Sequence, residues 1–253
     1  MAVTAPWQTP IGTAAAAEVG TIRLARALRR LHDLLPLKER QDSLERPLIA
    51  LHRAILRSLI ENGRPLSRTQ ISAMLGSEDA AAKAVALLGS YDLIVRSPLT
   101  VRDVATDALV VLDAKGGDVV GAYPMTTEET PHKVTVNGNT LYAMCAVDAL
   151  AVPAMFNAEA LIHSACHVTG TPVAIHVNGT AVIEATPSDV RVGVRWQRLI
   201  DCCAHVMCRQ MIFLRDEATA NAWVNSDPIS KELFTVREAI AITEAFFVPL
   251  LAD

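Results

Sequence analysis

Cys145 and Asp148 stand three residues apart in the segment Leu141-Tyr142-Ala143-Met144-Cys145-Ala146-Val147-Asp148-Ala149-Leu150. At helical spacing a thiol and a carboxylate then share one face, within reach of a single bound atom. A soft metal and a proton would both find their partners there. Asp148 is flanked by Ala146, Val147, Ala149, Leu150, Ala151 and Val152, which leaves little polar face for an exposed acid. A buried carboxylate is costly unless it is paired or protonated, so a functional role is favoured over an exposed position on an amphipathic helix. Cys145 falls in the first turns of its expected helix, after Asn139 or Thr140 as a possible cap, where the helix N-terminus would lower its pKa. A small buried hydrophobe is the other fate of a free cysteine, and the residues alone leave both open.

Two further cysteines extend the soft-ligand set. Cys208 falls in an expected strand, Cys202–Leu214, beside Arg209, whose charge would help hold a thiolate. The group Cys202, Cys203, His205 and Cys208 has the right side chains for zinc. It lacks a Cys-x-x-Cys pair, however, and strand alternation splits it between two faces. Cys166 closes an apolar strand just before Thr169-Gly170, between His163 and His167, and reads as a buried structural thiol. No Gly-x-Ser-x-Gly elbow and no glycine-rich phosphate loop is present, so Ser-His-Asp hydrolysis and nucleotide chemistry are set aside.

Composition narrows the class. The chain has 253 residues, 51% of them hydrophobic, enough for one large domain or two small ones. No run approaches the roughly 20 apolar residues needed to cross a bilayer. Met1–Pro10 lacks a basic stretch followed by an apolar one, so a cytoplasmic protein without membrane contact is expected. Five cysteines are few and odd in number, which suits free thiols in a reducing compartment. A formal charge of −4 offers no electrostatic attraction to nucleic acid.

The elements that must position these residues change character along the chain. Residues 1–17, rich in Ala, Thr and Pro, read as a loose arm. Leu24, Leu28, Leu31 and Leu35 predict a helix over Glu18–Leu35, stopped by Pro36. Leu48, Leu51, Ile55 and Leu59 predict another over Pro47–Glu61, ended at Asn62-Gly63. Ser67 caps a short helix to Leu75, and Ser77 caps another over Glu78–Ser90. A hairpin of Ala108–Asp113 and Val119–Tyr123 around Gly116-Gly117 would complete a winged-helix outline. Its third helix, with one lysine and two acids, is a poor DNA reader.

From Met125 the pattern becomes β, with Asn137-Gly138 as a two-residue hairpin turn. A helix over Ala143–Phe156 follows, kinked or ended by Pro153. Strands are expected at Ala160–Val168, Val173–Val177, Ala181–Ala185, Val190–Trp196 and Cys202–Leu214, and helices at Thr219–Asn225 and Val236–Leu251. The class is α+β, a winged-helix-like helical domain followed by a β-rich mixed catalytic domain. The expected units are an N-terminal extension with one amphipathic helix (1–45), the winged-helix-like domain (46–124) and the catalytic domain (125–253).

Taken together, four stretches resemble the alkylmercury (organomercurial) lyases, from about Arg46 to the C-terminal helix. Gly63-Arg64-Pro65-Leu66-Ser67-Arg68-Thr69 is similar to that family's N-terminal helical domain. The segment Leu141–Leu150 resembles its first catalytic segment. Ser164-Ala165-Cys166-His167-Val168-Thr169-Gly170-Thr171-Pro172-Val173 resembles the strand and turn after it. Cys208 precedes a helix containing Ala220-Asn221-Ala222-Trp223 as in the family. The resemblance implies two catalytic cysteines and one aspartate, at Cys145, Cys208 and Asp148. Cys202-Cys203-Ala204-His205-Val206 also looks like the motif around the second thiol, but only Cys208 keeps the family's intervals to Cys166 and Trp223 without insertions. Arg209 then stands where some members carry a further cysteine. In these lyases the winged-helix-like domain packs over the catalytic half and does not bind DNA.

The implied reaction is protonolysis of a carbon–mercury bond to a hydrocarbon and Hg²⁺. Cys145, Cys208 and Asp148 would hold the Hg²⁺ product, with no redox or organic cofactor. The implied partners are an organomercurial substrate, and small thiols or a mercuric reductase that accept Hg²⁺ and keep turnover going. Neither nucleic acid nor membrane is expected as a partner, and residues 1–45 are available for contacts in a homodimer. The rival class is a non-enzymatic soft-metal sensor or buffer using the same thiols, for which a proton-relaying aspartate would be superfluous.

Overall fold

In the computed structural model, residues 14–97, 99–102, 109–113, 117–196 and 208–252 are described. The front helices follow their local signals. Helix α1 (Ala14–Leu34) is succeeded by a short α2 (Leu37–Asp42), α3 (Arg46–Asn62), α4 (Arg68–Leu75) and α5 (Glu78–Ser90). Ser67 and Gln70 form a reciprocal capping box on α4, and Ser77 caps α5, each satisfying backbone donors that a helix start leaves free. Pro36 does end α1, but the chain restarts one residue later as α2, an element the sequence pattern does not announce. Residues 14–17 of the expected loose arm form the first turn of α1, and 1–13 lie outside the described residues.

The hairpin expected after α5 is paired differently. Strand β3 (Leu109–Asp113) pairs with β2 (Leu99–Arg102), while β4 (Val119–Ala122) pairs with β1 (Ile94–Arg96). The β2–β3 ribbon closes on itself. Bonds from Ser97 N to Asp118 O and from Gly117 N to Ser97 O then carry β4 back alongside β1.

These strands feed a larger sheet. With β5 (Met125–Thr126), β6 (His132–Val136), β7 (Asn139–Ala143), β8 (Glu159–Ala165), β9 (Pro172–Asn178) and β10 (Ala181–Thr186), the order is β1-β4-β5-β7-β6-β8-β9-β10, antiparallel throughout. Asn137 and Gly138 both adopt positive φ, 51° and 75°, which a two-residue turn matched to strand twist requires. The next residue does a second task. Asn139 Nδ2 donates to the carbonyls of Ile60 and Glu61, at 3.2 and 3.1 Å, satisfying acceptors that the end of α3 leaves open.

Helix α6 (Ala146–Phe156) lies across this sheet. Every residue from Ala146 to Met155 is buried, as expected of a helix apolar on all sides. Val134, Val136, Leu141, Ala160, Ile162, Val173, Ile175 and Val177 belong to the same core. Pro153 sits inside α6 without ending it; Asn157 in the left-handed region does that. On the other side α6 meets α8 (Val236–Phe247) and β12 (Met211–Leu214). A second sheet runs β12-β11-β13, with β11 (Arg191–Arg195) central and β13 (Lys231–Thr235) at one edge. The mixed polar sequence of β13 does not announce a strand. Helix α7 (Glu217–Asn225) packs on this small sheet, and α1 packs on α8. The fold is α+β, as expected.

Gly193, in the middle of β11, marks a tight contact. A Cβ there would sit 2.9 Å from Trp223 Cζ3 and 3.0 Å from Leu214 Cδ1. Gly193→Ala is therefore expected to destabilise the chain by about 1–3 kcal/mol through overpacking. In a thermal melt this should lower Tm by several degrees, at about 2–4 °C per kcal/mol for a chain of this size. An unchanged Tm would mean that Trp223 is free to move aside.

Candidate active site

Helix α6 begins at the residue that matters most. Cys145 is itself the N-cap, with extended backbone (φ −155°, ψ 176°), and its Sγ accepts the Asp148 N–H at 3.3 Å. This corrects the sequence expectation, which placed Cys145 inside a helix starting near Ala143 and capped by Asn139 or Thr140. Those two residues belong to β7. The N-cap geometry turns the Asp148 side chain back onto the thiol. Cys145 Sγ donates to Asp148 Oδ2 at 3.1 Å.

The second thiol arrives from far along the chain. Cys208 opens a 3₁₀ turn, Cys208–Gln210, that leads into β12. It is not within a strand: of the expected strand Cys202–Leu214, residues 208–210 form this turn, Met211–Leu214 form β12, and 202–207 lie outside the described residues. Its Sγ donates to the same Asp148 Oδ2 at 3.5 Å. The two sulfurs and a carboxylate oxygen lie within 4.8 Å of one another, the one such meeting of three metal-ligating side chains among the described residues. Cys202, Cys203 and His205 lie outside the described residues. Cys166 is buried elsewhere, packed with Ile212, Leu214 and Ala220 in a separate small cluster.

Burial dictates the electrostatics. Asp148 is only 3% exposed, and burial pushes its carboxyl up to about 7, opposed by the two thiols that hydrogen-bond to it. Cys145 has no exposed surface. Burial pushes its thiol up to about 12, with the neighbouring Asp148 charge acting in the same direction and a hydrogen bond from Cys208 acting against it. The helix N-terminus does supply an N–H to the sulfur, but desolvation outweighs it, and the expected lowering does not occur. The site therefore rests with Cys145 as a thiol and Asp148 between its two states near neutral pH.

One neighbour carried no signal in the sequence. Met211 Sδ lies 3.8 Å from Cys145 Sγ, placing a third soft sulfur against the pair. Nothing local distinguishes it among seven methionines; only the 3₁₀ turn after Cys208 brings it here. Chemically, two thiols and a carboxylate in an apolar shell suit a soft metal and the movement of one proton.

Comparison with known proteins agrees with this chemistry. The alkylmercury lyase family profile matches residues 125–248, a span that contains Cys145, Asp148 and Cys208. An alkylmercury lyase of Pseudomonas putida is 28% identical over 199 residues, covering 79% of this chain and 84% of that protein. One from Staphylococcus epidermidis is 35% identical over 124 residues, covering 49% of this chain and 56% of that protein. The fold is shared with the crystal structure of the mercury-bound form of MerB2. Its TM-score is 0.66 at 22% identity, over 85% of this chain and 98% of that one. Profile and relatives agree that this chain is similar to the alkylmercury lyases over residues 125–248, and it shares the fold of MerB2.

Proposed function

We propose that this chain cleaves the carbon–mercury bond of R–Hg⁺ by protonolysis, with Cys145 and Cys208 as mercury ligands and Asp148 as proton relay. The observation that carries the assignment is the single Asp148 oxygen lying 3.1 and 3.5 Å from the two sulfurs. Thiolates are the natural ligands of soft mercury. In the first step one thiol forms a sulfur–mercury bond and its proton leaves with the displaced thiolate, or passes to solvent where a halide is displaced. The second thiol then passes its proton to Asp148 Oδ2 and binds mercury in turn. The added sulfur donation weakens the carbon–mercury bond. Asp148 returns that same proton to the leaving carbon, which departs as R–H with the bonding electron pair. Hg²⁺ stays on the two thiolates with the carboxylate beside it, and the charges balance.

An acid held near neutrality by burial is suited to both halves of this relay. The two thiols and the carboxylate supply the whole reaction without an organic or redox cofactor. A small thiol or a mercuric reductase would then remove Hg²⁺ by ligand exchange, which suits a reducing cytoplasm. The helical segment 46–124 serves as a cover for the catalytic segment 125–253 and not as a nucleic-acid reader.

Headspace gas chromatography of reduced protein with phenylmercuric acetate and excess small thiol should detect benzene over many turnovers. Cys145→Ala and Cys208→Ala should abolish it, while Cys202→Ala and Cys203→Ala remain active. Activity surviving in Cys208→Ala and lost in Cys203→Ala would transfer the second ligand to Cys203. Mercury uptake without benzene in the wild type would leave a metal buffer.

Asp148→Asn should still take up Hg²⁺ but lose about 10²–10⁴ in kcat, the usual contribution of a positioned acid–base group. Because Asp148 must start as the base, kcat/KM for the wild type should rise with pH through about 7. A limb that persists in Asp148→Asn would assign the titration to another group.

The same ionisation has a readout that needs no substrate. The folded-state value of Asp148 is raised above its unfolded value, so its contribution to stability is complete below about pH 4. It is lost as pH rises towards about 7, where the native carboxyl ionises. Stability of the wild type relative to Asp148→Asn should fall over that window by on the order of a few kcal/mol. A flat difference curve in chemical denaturation would mean that water reaches the carboxylate.

A further inference from the structure

Close to Cys145 lies a small cavity whose wall is made of apolar residues, Leu31, Val147, Met211, Phe234 and Ile242 among them. Resting on the lyase reading above, we infer that this cavity seats the organic group of the substrate, and that Leu31 on α1 limits its size, so the chain prefers small alkyl groups to aryl groups.

Three observations converge. Met211 belongs both to the cavity wall and to the site, its Sδ lying 3.8 Å from Cys145 Sγ. Val147 lines the cavity from the helical turn that carries Cys145 and Asp148. Whatever occupies this space therefore adjoins mercury held on Cys145 and the carboxyl that must protonate its carbon. The wall also matches the ligand. The organic group of R–Hg⁺ is apolar at the carbon to be protonated. The one lining side chain with a polar atom, Trp196, directs its Nε1 to Glu232 at 2.9 Å. Finally, the cavity volume is about 10 Å³, roughly what is needed to hold one water, so a small alkyl group displaces less of the wall than an aryl group. A phenyl ring does not fit unless the roof moves.

That roof is α1, and it is tied down. Arg23 pairs with Glu238 and donates to Leu233 O at 2.7 Å, while Arg26 and Arg30 reach Glu232 at 3.3 and 3.7 Å. These bonds join α1 to β13 and α8, and so help fix the helix that carries Leu31 to the cavity wall. Larger organic groups must displace this helix or pay for crowding against it.

The test compares kcat/KM for methylmercury and phenylmercury in the wild type, in Leu31→Ala, which opens the roof, and in Ala239→Leu, which fills the cavity from α8. One methylene in an apolar pocket is commonly worth about tenfold or more in kcat/KM. The phenyl-to-methyl ratio should therefore rise at least about tenfold in Leu31→Ala and fall by a similar factor in Ala239→Leu. Thermal melts establish that each variant is folded, and Leu31→Val takes the place of Leu31→Ala if the larger truncation does not fold. Folded variants that cleave both substrates at the wild-type ratio would overturn the inference while leaving the lyase reading intact. A wild type that releases neither methane nor benzene would overturn the lyase reading, and this inference with it.

Discussion

A carboxylate taken out of water inside a helix that is buried on every side is the constraint on which the rest of the structure turns. Asp148 cannot carry a full charge there without donors, and the donors it finds are two thiols. Desolvation raises both the acid and the thiol it faces, so neither gives up its proton freely to solvent. The proton is retained within the cluster until something displaces it. Under the proposed function a soft cation would do so, because a thiolate bound to mercury is no longer an exposed charge in an apolar shell.

That arrangement requires a scaffold able to bury α6 completely. The eight-stranded sheet covers one side and α8 with β12 the other, leaving the helix N-terminus, with Cys145 as its cap, facing the turn that supplies Cys208. Asn139 couples the front helices to the same hairpin by closing the end of α3. Helix α1, which sequence reading treats as part of an extension, is held to the back half by Arg23 and Arg26. It contributes Leu31 to the wall beside the site. The shape of the space next to Cys145 is consequently a property of the chain's first helix as well as of residues 125–253.

Much of the local structure was legible in the residues. Ser67 and Ser77 marked helix starts, Asn62-Gly63 a helix end and Asn137-Gly138 a hairpin, because each depends on backbone conformations or hydrogen bonds made within a few residues. The pairing of β4 with β1 was not legible, since adjacent strands in sequence offered an equally plausible hairpin. The short α2 and the polar edge strand β13 owe their conformation to what they pack or pair with. Residues 1–13, 98, 103–108, 114–116, 197–207 and 253 lie outside these comparisons.

For the site, the sequence by itself determined the chemistry: which soft and acidic groups exist, that Cys145 and Asp148 lie within one helical turn, and that the surroundings of Asp148 are apolar. Tertiary structure alone decided two things: that Cys208 and Met211 meet that turn, and that the Cys145 thiol is raised instead of lowered. The physical reason is that spacing along a chain sets only short-range geometry. Desolvation and the meeting of residues some sixty positions apart depend on which surfaces are buried together.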